Sequence, residues 1–269
     1  MPELPEVETV VQSIKGHLLG ESFTEIVVNW PKTLHNFDKS KFNKIVAGKK
    51  IIDVKRRAKY IIICFEKSML AIHLRMTGKL YAVNKIDPDK KHVSLYLKFG
   101  KKYLIYEDTR KFGRFYLYND MTHLDNKLGI EPLEADFTNE WIVKNMRQKK
   151  RQIKALLFDQ SFICGLGNIY IDEALWHAKI HPLSISNKIS IKKLHVLQSA
   201  IIKVLSDSIE LGGSTIRDFT YNFKYVGNYA LNLKVFGKQG TECQRCQTII
   251  VKCKVSQRGT HYCPKCQRR

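Results

Sequence analysis

The residue type best placed to do chemistry stands second in the chain. Pro2 follows Met1, and a small second residue permits removal of an initiator methionine, which leaves a proline secondary amine at the chain start. An α-amino group titrates at about 7.7–8, against about 10.4 for lysine. A useful neutral fraction therefore exists at pH 7, and a helix N-terminus nearby favours that neutral form further. A secondary amine attacking an aldehyde-like carbon forms a cationic iminium, an electron sink that acidifies the neighbouring C–H. This is Schiff-base covalent catalysis. Glu3 and Glu6 stand beside such an amine and could move protons. Taken alone, Met-Pro is equally an ordinary chain start, and glutamates at a helix start complement its dipole.

The cysteines carry a second pattern. Seven is an odd count, which argues against a full disulfide framework. Four of them form Cys243-x2-Cys246 and Cys263-x2-Cys266, sixteen residues apart. Two such knuckles supply four thiolates to a tetrahedral zinc, and a hairpin between them closes the site. Two disulfides or a redox pair would use the same residues, but a reducing compartment disfavours them. A closed four-thiolate set has no open position, so one structural Zn2+ is expected. Cys64 sits in an apolar run and reads as core, while Cys164 and Cys253 have no evident partner.

Charge points to the partner. The 269 residues hold 46 Lys+Arg against 25 Asp+Glu, a formal charge of +21. On a chain with 44% hydrophobic and 10% aromatic residues, which can build real cores, this implies a polyanionic partner, foremost nucleic acid. It excludes a disordered basic tail. Solubility, or residence in an RNA-rich assembly, is the plainer account of the charge. The charge is segregated, however: residues 1–30 hold five Glu and one Lys, residues 144–154 hold six basic residues and no acid, and residues 234–269 hold nine basic residues and one acid. No run of about 18 apolar residues is present, so no membrane span is expected. The acidic start lacks a secretory pattern, so an intracellular location is expected.

The elements that must position these residues are of two kinds. Residues 5–18 predict a helix, with Val7, Val10, Val11, Ile14 and Leu18 on one face and Pro5 in the first turn. Short alternating runs follow at 23–30, 60–65, 69–74, 93–99, 103–107 and 114–118, which predict a β-sandwich or barrel. After a hinge near 129–135, helices are expected at 140–146, 151–159, 169–178 and 190–211. Gly165-Leu166-Gly167-Asn168 separates two of them, with Asn168 as N-cap. A plain interhelical turn is the simpler reading of that string. The stretch 214–233, polar and rich in aromatics (Tyr221, Phe223, Tyr225, Tyr229), reads as a long mobile loop.

The whole string Met1-Pro2-Glu3-Leu4-Pro5-Glu6-Val7-Glu8-Thr9 resembles the start of the formamidopyrimidine-DNA glycosylases. The resemblance runs the length of the chain. It takes in Arg56-Arg57-Ala58-Lys59-Tyr60, His73-Leu74-Arg75-Met76-Thr77-Gly78, Asp108-Thr109-Arg110-Lys111-Phe112-Gly113, Gly165–Tyr170, and Arg258-Gly259-Thr260-His261 within the cysteine hairpin. It implies an α+β protein: an N-terminal helix plus β-sandwich (1–130), a helical helix–two-turn–helix domain with a lesion-recognition loop (131–237) and a zinc finger (238–269). It implies a bifunctional enzyme that excises oxidised purines from damaged double-stranded DNA and nicks the strand, acting as a monomer in the bacterial cytosol at the nucleoid.

Residue by residue, the resemblance makes Pro2 the nucleophile at C1′, Glu3 the acid, Glu6 a supporting carboxylate and Lys59 the proton carrier in β-elimination. Arg258 is tied to phosphate binding and δ-elimination; a guanidinium does not readily give up a proton, so phosphate clamping is favoured. Met76, Arg110 and Phe112 match the residues that fill the gap left by an extruded base. His92, Lys150 and Lys154 match DNA contacts, although a solvated basic face would read the same way. Asn168, with the turn before it, would offer N–H groups and an amide to phosphate. Two departures stand out: Thr77 replaces a Glu or Ser common in relatives, and 228–238 lacks the Tyr-Gly-Arg or Tyr-Gly-Lys usual before the zinc finger. The second bears on lesion spectrum and not on strand chemistry, and the first on recognition.

Overall fold

The computed structural model describes residues 1–214 and 228–269. Most of the expected loop, 215–227, lies outside the described residues. Two compact units are present: Met1–Asn126 with Gly212–Asn228, and Lys127–Leu211 with Tyr229–Arg269.

The first unit begins with α1 (Leu4–Leu18). Its predicted apolar face is buried in full, since Val7, Val10, Val11, Ile14 and Leu18 are all 3% exposed or less. A capping box closes its start, with the Glu3 N–H donating to Glu6 Oε2 at 2.9 Å. Eight strands follow: β1 (Phe23–Val28), β2 (Asp53–Arg57), β3 (Tyr60–Phe65), β4 (Ser68–His73), β5 (Gly78–Val83), β6 (Val93–Phe99), β7 (Lys102–Asp108) and β8 (Arg114–Tyr118). They form two four-stranded antiparallel sheets, ordered β1-β6-β7-β5 and β2-β3-β4-β8. The core lies between them, where Ile61, Ile63, Leu70, Ile72 and Phe115 from one sheet join Phe23, Leu95, Leu97, Leu104 and Tyr106 from the other. Alternation along each strand sets those residues on one face.

Six strands fall where apolar alternation predicts them. The other two, β2 and β5, carry Asp53-Val54-Lys55-Arg56-Arg57 and Gly78-Lys79-Leu80, whose charge and glycine hide a strand signal. A short helix, α2 (Lys39–Ile45), was likewise not expected; Asp38 caps it by accepting the Lys41 N–H at 2.7 Å, and it buries only Phe42. The unit also holds α3 (Thr122–Asp125).

The second unit contains α4 (Asn139–Arg147), α5 (Ile153–Phe158), α6 (Asn168–His177) and α7 (Ile191–Glu210). Thr138 caps α4, and Ser190 caps α7. Helix α6 is buried on every side from Tyr170 to Trp176, as befits the middle of a helical cluster. Its Glu173 accepts three backbone N–H groups, from Lys234, Val235 and Phe236 at 2.8–2.9 Å, and so fastens the incoming chain. Burial raises the Glu173 carboxyl above its usual range despite these donors. Tyr229, expected in the loop, is buried and starts a short 3-10 turn, Tyr229–Asn232. The chain ends in a hairpin of β9 (Val251–Val255) and β10 (Arg258–Tyr262) between the two cysteine knuckles. Among the described residues, no helix is long and apolar enough to cross a membrane.

Candidate active site and nucleic-acid interface

Three expected groups meet at the start of α1. Pro2 is buried beneath a half-exposed Met1, and Glu3 and Glu6 are each 4% exposed. The capping box orients both carboxylates. Glu6 Oε1 accepts both the N–H and the hydroxyl of Ser214, at 2.8 and 3.0 Å. With Met1 in place, Pro2 N is an amide; its removal frees the amine at the positive end of a helix.

Lys59 occupies the tight turn between β2 and β3, where Arg57 pairs with Tyr60. Ala58 takes a left-handed φ of +53° there. Arg56 ties this turn to α1: its Nε donates to Glu8 Oε2 at 2.9 Å and its Nη1 to the Ala58 carbonyl at 3.2 Å. Lys59 is buried, at 4% exposure.

His73, at the end of β4, was missed by residue-type reasoning although it opens one of the quoted motifs. Its ring packs edge-on against Tyr60, centroids 4.7 Å apart, and Nδ1 accepts the Arg75 N–H at 3.0 Å. Burial, then the charges of Arg75 and Lys59, push its pKa down to about 3. At neutral pH it is an uncharged imidazole whose Nε2–H is a donor. The available signal was its sheet position, directly opposite Tyr60, and register cannot be read from sequence.

Met76, Arg110 and Phe112 lie on two loops, far apart in sequence, and the fold brings them together. Arg110 Nη1 is 2.9 Å from Met76 Sδ, and its guanidinium carbon lies 4.8 Å from the centre of the Phe112 ring. Met76 and Phe112 are 45% and 49% exposed, and with Arg110 between them they form one contiguous exposed cluster. His92 is also exposed, on the loop before β6.

In the second unit, Lys150 is exposed on the basic loop between α4 and α5. Lys154 corrects the sequence expectation. It is 1% exposed, and its Nζ contacts Asp172 Oδ1 at 2.6 Å and the Gly259 carbonyl at 3.3 Å. An ammonium enclosed this way is held in a buried ion pair and is not part of the exposed basic surface. Asn168 is the first residue of α6, not its cap; Gly167 takes the cap position. The Asn168 amide donates to the same Gly259 carbonyl at 2.9 Å. Asp172 Oδ2 in turn accepts the His261 N–H at 2.8 Å. All these bonds converge on β10, whose first residue is Arg258. The two-residue turn before it, Ser256-Gln257, is left-handed at both positions, the conformation that tightens a hairpin. Arg258 is exposed, its guanidinium 4.8 Å from the Phe158 ring.

The four knuckle cysteines place their sulfurs within 4.8 Å of one another. Cys246 lies 3.4 Å from Cys263 and 3.3 Å from Cys266, and Cys243 lies 4.0 Å from Cys266. Tetrahedral zinc with Zn–S bonds of about 2.3 Å separates its thiolates by about 3.8 Å, so the donor set fits that ion. Hydrogen bonds from the Thr248 side chain and backbone draw the Cys246 thiol down to about 6, whereas burial pushes Cys263 up to about 12. Four crowded thiols do not all ionise unaided, and a dication supplies the missing charge. The site holds one structural zinc. The Trp176 indole, donating to Cys243 Sγ at 3.4 Å, fixes it to α6.

Comparison with known proteins agrees with this geometry. The formamidopyrimidine-DNA glycosylase N-terminal domain matches residues 1–115, the H2TH domain of the same proteins matches 128–220, and the zinc finger found in FPG and IleRS matches 240–269. Formamidopyrimidine-DNA glycosylases of Protochlamydia amoebophila and Lactobacillus acidophilus are 42% and 41% identical, covering 100% and 99% of this chain and 100% and 99% of their own. A Lactococcus lactis FPG variant bound to Fapy-dG-containing DNA superposes with a TM-score of 0.93 at 38% identity, covering 100% of both chains. The L. lactis Fpg bound to DNA containing an abasic site gives 0.92 at 39%, covering 99% of this chain and 100% of that one. The chain belongs to the formamidopyrimidine-DNA glycosylase family.

Proposed function

We propose that this protein excises oxidised purines, 8-oxoguanine and formamidopyrimidines, from double-stranded DNA and then cleaves the strand at the resulting site. The carrying observation is Pro2, buried at the N-terminus of α1 beside two carboxylates oriented by one capping box. Once Met1 is removed, the Pro2 amine attacks C1′. The C1′–N bond breaks as the base departs with a proton, for which Glu3 is the donor. The nitrogen lone pair then expels O4′: the C1′–O4′ bond breaks and O4′ takes up a proton, which opens the sugar and leaves the iminium. This acidifies C2′–H; Lys59 carries that proton during β-elimination, which expels the 3′ phosphate, and δ-elimination then expels the 5′ phosphate. Glu6 holds the start of α1 in shape.

Arg258 clamps a backbone phosphate. Met76, Arg110 and Phe112 fill the gap in the duplex, and His92, Lys150 and the turn before Asn168 contact the backbone. The working regions are 1–130 for chemistry, 131–237 for the duplex and 238–269 for the zinc-held arginine. The protein acts as a monomer in the bacterial cytosol, at the nucleoid. The relatives solved with Fapy-dG-containing and abasic DNA support this reading.

Borohydride trapping on a duplex with one 8-oxoguanine tests it. The wild type should form a covalent adduct, an N-terminally acetylated protein should form none, and Pro2→Gly, which keeps a primary amine in place of the secondary one, should form less. A gel shift without an adduct would reduce the protein to a DNA binder. Far better trapping on thymine glycol would make it a pyrimidine enzyme.

A further inference from the structure

One buried carboxylate organises the loops that carry Met76, Arg110 and Phe112. Asp108, the last residue of β7, is 1% exposed. Its Oδ1 accepts the Thr77 hydroxyl at 2.5 Å and the Arg110 N–H at 3.2 Å. Its Oδ2 accepts the Gly113 N–H at 2.8 Å and the Tyr106 phenol at 3.3 Å. Thr77 Oγ1 also lies 3.2 Å from the Arg110 N–H. The backbone of Asp108 donates to the His92 carbonyl at 2.9 Å and accepts the Lys111 N–H at 3.2 Å. Three loops, carrying Met76, His92 and Arg110–Phe112, thus meet at one residue.

Packing closes the same point. The Tyr106 hydroxyl sits in a notch between two glycines: a Cβ on Gly113 would fall 1.4 Å from it, and one on Gly78 2.5 Å from it. Burial, then the Asp108 carboxylate, raises the Tyr106 phenol far above its usual range, so it stays a donor. Lys111 reverses the chain with a left-handed φ of +59°, and Arg110 comes to lie against both Phe112 and Met76.

We propose that Asp108, with Thr77 as its partner, is a positioning residue that presents Met76, Arg110 and Phe112 as one preformed wedge for the gap left by an extruded base. This rests on the glycosylase reading above. A wedge ordered before binding loses little conformational freedom on insertion, and the geometry it must match is narrow. Thr77 spends its hydroxyl on this clasp.

The test compares two substrates. A duplex with 8-oxoguanine opposite cytosine needs the gap filled; a single-stranded oligonucleotide with an abasic site does not. Thr77→Val keeps the side-chain shape and loses the hydroxyl. It should lower kcat/KM on the duplex about tenfold, and Asp108→Asn about a hundredfold, while strand cleavage of the single-stranded substrate changes less than about twofold. Thr77→Ser should restore the duplex rate. A parallel loss on both substrates would show a merely structural role and overturn the proposal, as would unchanged duplex rates. If Asp108→Asn does not fold, the Thr77 pair decides alone. Wild-type protein that cut neither substrate would overturn the glycosylase reading, and this inference with it.

Discussion

At the scale of single residues, the first unit uses burial to set protonation states. His73 shows this most clearly. Its pKa falls from an ordinary 6.5 to about 3 in the folded protein, so the neutral ring is favoured in the native state and the protonated ring in the unfolded one. Native stability from this group is fully present above pH 6.5 and drains as pH falls from 6.5 toward 3, by up to about 1.4 kcal/mol per pH unit. Urea unfolding at pH 7.5 and 5.0 should therefore show a larger loss in the wild type than in His73→Gln. Equal losses would mean the ring is not held neutral. In the proposed mechanism Lys59 acts differently, through its reach to a proton. Lys59→Met should still be trapped by borohydride, but its β-elimination rate should drop by about a hundredfold or more. Loss of trapping as well would place Lys59 in base excision.

At the scale of elements, the pairing of α6 with β10 decides what Arg258 can do. Lys154 of α5, Asp172 and Asn168 of α6 and the Gly259 carbonyl form one buried polar joint between two helices and a metal-held hairpin. Removing one partner of such an ion pair strands a buried charge and costs about 3–5 kcal/mol, whereas replacing both with apolar groups of similar volume costs far less. Lys154→Met should accordingly lower the melting temperature sharply, and Lys154→Met with Asp172→Leu should recover most of it. The salt dependence of DNA binding separates this lysine from a true phosphate contact. Lys150→Ala should reduce the slope of log K against log salt by about 0.9, and the Lys154/Asp172 double variant should leave it unchanged. Equal slopes in wild type and Lys150→Ala would remove Lys150 from the interface.

At the scale of the whole molecule, a charge of +21 and one structural metal act together. The last thirty residues bury few large side chains of their own; Ile250 and two cysteines, with Val235 and Trp176 from outside that stretch, make up their cluster. Zinc binding is thus a large share of the free energy that folds them. Chelation should release one zinc per chain and unfold the hairpin. Because Arg258 is carried there, the ratio of δ- to β-elimination products should fall while covalent trapping at Pro2 persists. Chelated protein with an unchanged product ratio would separate Arg258 from the metal.

What the sequence determined by itself is chemical identity at short range. The Pro2–Glu6 string, the spacing of the four cysteines, the apolar face of α1 and six alternating strands are patterns within a few turns or one hairpin, where periodicity and reach are set by the backbone. What only the tertiary structure decided is where long side chains end. Lys154 and Lys150 look alike in a basic run, yet one is sealed against Asp172 and the other faces water, because the partner lies eighteen residues away on a different helix. Met76 and Arg110 become neighbours because β5 pairs with the distant β7, and His73 becomes neutral because the folded sheet buries its ring. Register follows from the sum of many packing contacts across the sandwich, and no local pattern carries that sum.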